Sequence, residues 1–232
     1  MDLIDIAIIS RKHFFFFVEK CNKAYRSGHD LGFYREIIAM HREYGDLQTL
    51  IENDLFLKKL YETLEQWDMN KRGARMVSFD SFVNSVRFWK RSLIGLYEYK
   101  LYEDIESEFS AIYEVLEKVF CNLKVMESKR KIVGVSKALH FLLPDLIMPI
   151  DGKYTMEAFF GYNKYSNVAK DEFKTFKNVF KRTFEIADHL QLTPVDVDGV
   201  LWKTSVPKLI DNAVIGLFNC PREEVIALLE SN

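Results

Sequence analysis

No proline occurs before Pro144, and all five prolines fall in the last 89 of the 232 residues. Proline lacks a backbone N–H and breaks helix interiors, so a 143-residue stretch without one is free to run as consecutive helices. Apolar residues in that stretch recur at helical spacing and do not alternate, as in Phe79, Phe82, Val83 and Val86. The pattern predicts helices over about 2–26, 31–44, 47–66, 79–99, 104–121 and 128–143. Asp46, Ser78 and Asp104 read as N-caps, and Gly28, Gly45 and Gly73 as stops.

After Pro144 the texture changes. Pro144–Asp151 is an apolar connection with a proline near each end, and each proline forces extended backbone before it. Helices over about 152–160 and 168–190 follow; the second carries Phe173, Phe176, Val179, Phe180 and Phe184 on one face. Thr193–Pro194 reads as a cap followed by a first-turn proline, and Cys220–Pro221 opens a last helix. No alternating segment of strand length occurs. The expected fold is all-α, a bundle of eight to ten helices forming one unit over 1–232, with 1–122 and 123–232 as candidate sub-lobes. Apolar residues make up 48% of the chain, enough for a sizeable core.

Several chemistries lack their parts. Cys21, Cys121 and Cys220 form no CxxC pair, and the five histidines form no HxH or HxxxH pair, so no metal is expected. Glu106, Glu108, Glu114 and Glu117 read as the wet face of one helix, and no ExxH accompanies them. Neither GxxxxGK[ST] nor GxGxxG occurs, so no nucleotide cofactor is expected. Asp2 and Asp5 precede any basic residue, the wrong polarity for a signal peptide, and no apolar run approaches the roughly 20 residues of a membrane span. A cytoplasmic protein with no membrane partner is the expectation. Net charge is −2, so contact with nucleic acid would need a local basic face. Two segments offer one: 124–137 and 164–182 each carry a net +4. Lysines on the polar face of an amphipathic helix give the same pattern.

The most informative stretch is 131–160. Gly134 stands in a turn-like GVSK break before the apolar helix 138–143, where backbone N–H groups can approach a phosphate without a Cβ in the way. Lys137 and Asp151 are 14 residues apart across that helix and its apolar return, a spacing that places an amine and a carboxylate on two sides of one cleft. A simpler reading has Asp151 as a cap, Lys137 solvated and Gly134 inside a continuous helix. Between helices, Trp67, Arg72 and Arg75 flank Gly73 in a loop suited to stacking on nucleic acid or to meeting a protein, or else Trp67 belongs to the core.

Gly134-Val135-Ser136-Lys137 followed by a helix and by Pro149-Ile150-Asp151 resembles the helix-hairpin-helix DNA glycosylase/AP lyase superfamily, with its GVGxK-type turn and its Val-Asp opening another helix. Leu192–Trp202 (LTPVDVDGVLW) and Pro221–Glu230 (PREEVIALLE) are similar to the tail of archaeal 8-oxoguanine DNA glycosylases, so the resemblance spans about 128–232. SKALHFLLPDL is also similar to uncharacterised prokaryotic helical proteins. Ser136 stands where the superfamily has its second hairpin glycine, and the Lys-to-Asp spacing is about one helical turn shorter. The resemblance implies double-stranded DNA as partner and a DNA-repair N-glycosylase/AP lyase activity without a cofactor. Lys137 would be the Schiff-base nucleophile and Asp151 would orient it or stabilise charge on the sugar. Gly134, Ser136, Lys129, Arg130, Lys131 and Lys153 would contact nucleic acid, and Trp202 would stack on the extruded base. The competing expectation is a non-catalytic interaction module using an aromatic-rich surface over 67–100. Oligomeric state is left open.

Overall fold

The computed structural model describes residues 2–71, 74–128, 130–161 and 169–230. Among them are thirteen α-helices and no strand, only a lone antiparallel bridge between Met76 and Met126. The first half contains α1 (Leu3–Ala7), α2 (Arg11–Ala24), α3 (His29–Tyr44), α4 (Leu47–Glu52), α5 (Asp54–Leu64), α6 (Phe79–Phe88), α7 (Lys90–Tyr97) and α8 (Phe109–Asn122). The second contains α9 (Ile132–Leu142), α10 (Tyr154–Phe160), α11 (Ala169–His189), α12 (Val206–Asn219) and α13 (Arg222–Glu230). The all-α expectation holds, and the fold is a multi-helix bundle. No described helix is long and apolar enough to cross a membrane.

Three of the long helices expected in the first half are divided, each by a local signal. Ser10 accepts the His13 N–H at 3.3 Å and starts α2 afresh after α1. Asn53 accepts from Leu55 and Phe56, ending α4 and opening α5. At Trp89 the backbone leaves helical geometry (ψ 6°), separating α6 from α7. At Thr193 the expected cap and first-turn proline are present, and the element they open is a short 3-10 turn over Pro194–Asp196.

One apolar core runs from Ile4 to Leu228 and draws on both sides of the 122/123 junction. Its spine is α12, which the sequence analysis left unassigned. Ser205 caps it by accepting from the Lys208 N–H, and Pro207 sits in its first turn. From Val206 to Val214 every residue is buried. Such a helix has no wet face, so its polar side chains must find partners inside. Lys208 and Asp211 pair with each other, and Asn212 donates to the Trp202 carbonyl at 3.0 Å. Gly216 lets α2 and α12 touch backbone to backbone, since a Cβ there would lie 1.9 Å from the Phe17 carbonyl oxygen.

Candidate functional site

A cleft opens between the end of α5, the first half of α9, the start of α10 and α12. Its outer part, about 750 Å³, adjoins an inner part of about 410 Å³; Trp67, Asp68, Lys137, Asp151 and Tyr154 line both. Four local devices shape it.

The first is a break after α5. Residues 65–69 form a widened turn in which Trp67 (ψ 28°) and Asp68 (φ 66°) leave helical geometry. Aspartate tolerates the left-handed region better than most residues, and Asp68 is also bridged to Lys71 at 2.6 Å. The Trp67 carbonyl, turned out of the helix ladder, accepts a hydrogen bond from Lys137 Nζ at 3.0 Å. The Lys137 amine also lies 5.4 Å from the Trp67 ring centre.

The second device pins the apolar return to α9. Ser136 Oγ donates to the Val133 carbonyl at 3.0 Å and accepts the Ile150 N–H at 3.1 Å. His140 bonds through Nδ1 to the Ile147 carbonyl at 2.7 Å and through Nε2 to the Tyr34 hydroxyl at 2.9 Å. Held at two points, the 143–150 return delivers Asp151 to the same cleft as Lys137. Asp151 Oδ1 accepts from the Lys153 and Tyr154 N–H groups, both at 2.8 Å, which fixes the carboxylate at the start of α10. Capping and cleft placement coexist in this residue.

The third is an aromatic wall. Tyr34 stacks on Trp202 at 5.5 Å and 22° and lies 5.4 Å from Trp67. Trp202 is buried, its ring N–H donating to the Tyr25 carbonyl at 3.1 Å, with one edge on the inner cleft. The fourth is the buried pair on α12, with Lys208 Nζ 4.9 Å from the Trp202 ring centre and 5.7 Å from that of Trp67.

Electrostatics follow from burial. Desolvation pushes the Lys137 amine below the ordinary lysine range, although Asp151, Asp211 and Asp68 pull the other way. Desolvation likewise raises Asp211, with Lys208 opposing it. Burial raises the Cys21 thiol on the inner wall to about 12, leaving it neutral.

The residues expected to contact nucleic acid are divided between the cleft and the interior. Gly134 lies within the first turn of α9, not in a turn before it, and lines the outer cleft; a Cβ there would sit 2.5 Å from the Met126 sulfur, so the glycine also accommodates a thioether. Ser136 is fully buried with its hydroxyl committed on both sides, so it offers nothing to a phosphate. Lys131 turns its amine back to the Cys121 carbonyl, away from the cleft. The positive end of α9 is already filled: the Glu172 carboxylate, 0% exposed, accepts from the N–H groups of Lys131 (3.2 Å) and Ile132 (3.4 Å). Arg130 and Lys153 do line the outer cleft, together with Lys71. Lys129, Arg72 and Gly73 lie outside the described residues. In the second basic segment Lys181 and Arg182 pair with Glu185, and Arg182 also with Asp5, which fits a solvated helix face.

Tyr34, Asp68, Lys208 and Asp211 were not singled out from sequence. The S-x-P start of α12, Ser205 to Pro207, was the available signal. Among the described residues, no group of three His, Cys, Asp or Glu side chains is placed to hold a metal ion. No family model matches the chain, and no curated protein or solved structure matches it either.

Proposed function

We propose that this is a nucleic-acid-binding protein whose cleft takes an unstacked nucleotide beside Trp67 and Tyr154 and attacks it with Lys137, the chemistry of a DNA N-glycosylase/AP lyase. The observation that carries the reading is the convergence of Lys137 and Asp151 on one cleft, with the Lys137 amine bonded to a carbonyl and carrying a lowered pKa. A neutral amine has the lone pair that nucleophilic attack requires. That lone pair would form a bond to C1′ of the nucleotide while the C1′–N bond breaks. The base departs with the electron pair and takes up the proton that the amine gives off. The nitrogen lone pair then expels O4′, which takes a proton from water, leaving an iminium between Nζ and C1′. The Asp151 carboxylate, held by two backbone N–H groups, would face the positive charge developing on the sugar.

The interaction-module alternative finds less support. It requires a contiguous apolar patch over 67–100, where the strongly exposed aromatics are Phe79 (36%) and Phe88 (79%). Nine positions apart on α6, they point to opposite sides of the helix. Anisotropy of a labelled duplex containing an abasic site, titrated with salt, tests the binding step. Cations at the cleft rim predict a log–log slope of roughly −2 to −3, and Arg130→Ala or Lys153→Ala should each flatten it by about 0.9. Binding that is absent, or indifferent to salt, refutes the reading.

A further inference from the structure

The chemistry proposed above leaves one buried ion pair unused. Lys208 and Asp211, one turn apart on α12, are 3% and 4% exposed and bridge at 2.5 Å. Asp211 nonetheless lines the inner cleft with Lys137. An anion beside an amine favours the ammonium form. Three carboxylates share the inner cleft with Lys137 and favour its charged form: Asp151 from the start of α10, Asp211 from α12, and Asp68 from the turn after α5.

Each of the three is engaged elsewhere. Asp68 bridges Lys71, Asp151 accepts two backbone N–H groups, and Asp211 holds Lys208. The remaining charged groups on the cleft walls are Asp30 on α3 and, toward solvent, Arg130 and Lys153. Tyr25, Tyr154 and the neutral Cys21 thiol are the other titratable groups. Of the three carboxylates, only Asp211 is fully inside the protein, so its charge is the least screened by water.

Resting on the nucleophile reading above, we propose that Lys208 is a positioning residue that engages the Asp211 carboxylate and so prevents it from retaining a proton on Lys137. Without Lys208, the cation that disfavours a second positive charge is gone and Asp211 is left with Lys137 as its partner, which holds the amine as ammonium. Without Asp211, an unpaired cation would do the reverse. The pair is thus an electrostatic counterweight built into the helix that forms the spine of the core.

The test is the ionisation midpoint of Lys137 in the free protein, with no nucleic acid present. Lysine labelled with 13C at Cε is titrated by NMR, and the Lys137 resonance is assigned from its disappearance in Lys137→Arg. The wild-type midpoint is expected below the ordinary lysine value of about 10.4. Lys208→Met should raise it by about one unit, a tenfold loss of neutral amine at neutral pH. Asp211→Asn should lower it, Lys208→Arg should leave it near wild type, and Lys208→Met/Asp211→Asn together should bring it back. If Lys208→Met does not fold, the Asp211→Asn shift and its reversal in the double variant decide the matter. A depressed wild-type midpoint indifferent to these changes overturns the role of the pair and leaves the nucleophile reading standing. An ordinary wild-type midpoint overturns both.

Discussion

Replacing Gly216 by alanine should drive apart the two helices that hold the site together. The new Cβ would lie 1.9 Å from the Phe17 carbonyl oxygen and 2.7 Å from its carbon, where real contacts begin beyond 3.0 Å. Both atoms belong to the α2 backbone, so no side chain can swing aside; α2 and α12 must separate by more than an ångström or tilt. On the Gly216 side of α12 lie Leu209, Asn212 and Ala213, with Cys21 Sγ of α2 3.8 Å from Asn212 Oδ1, and the buried residues of α2 include Phe14, Phe17 and Val18. A gap of 0.5–1 Å already forfeits about a quarter to a half of the dispersion attraction at each such contact. Overpacking of this kind costs about 3 kcal/mol or more where nothing yields, and alanine's better helix propensity returns about 1 kcal/mol. A net loss of roughly 2–4 kcal/mol follows, equivalent to a fall in Tm of about 4–16 °C for a chain of this size. Urea unfolding followed by tryptophan fluorescence reads it, since Trp67 and Trp202 stand beside α12. A Gly216→Ala protein within about 0.5 kcal/mol of wild type would refute the backbone contact between α2 and α12.

Ser136→Ala should cost about 1–3 kcal/mol by leaving the buried Ile150 N–H without its acceptor, and should loosen the return that carries Asp151; chemical denaturation and hydrogen exchange at Ile150 check both effects. Stability should also fall with acid through two buried histidines, His41 with its pKa lowered to about 4 and His140 to about 3, both chiefly by desolvation. Each stays neutral when folded while the unfolded chain titrates near 6.5, so stability is full above that value and is lost as pH falls toward the folded values. Each histidine withdraws about 2 kcal/mol between about pH 7.5 and pH 5, and His41→Gln should remove about half of the combined effect in urea titrations at the two pH values.

The helical nature of the chain was legible because proline and periodicity act locally. Where helices break was less so. Ser10 and Asn53 are good caps embedded in periodic apolar runs, and nothing at Trp89 marks a break. The convergence of Lys137 and Asp151 could be read because a helix and a short return connect them. By contrast, the occupant of the α9 N-terminus comes from Glu172, forty positions away, and no local pattern announces it. The α12 helix escaped although Ser205 and Pro207 mark its start, because its polar residues are buried together with its apolar ones. With it went Lys208 and Asp211, whose charges suggest a surface until the partner is seen.

Borohydride trapping on a duplex carrying an abasic site tests the central claim most directly. Wild-type protein should give a covalent adduct, Lys137→Ala none, and Asp151→Asn a much slower one, while all three keep salt-sensitive binding. An adduct that persists in Lys137→Ala, or no adduct with the wild-type protein, would contradict the assignment of Lys137 as nucleophile.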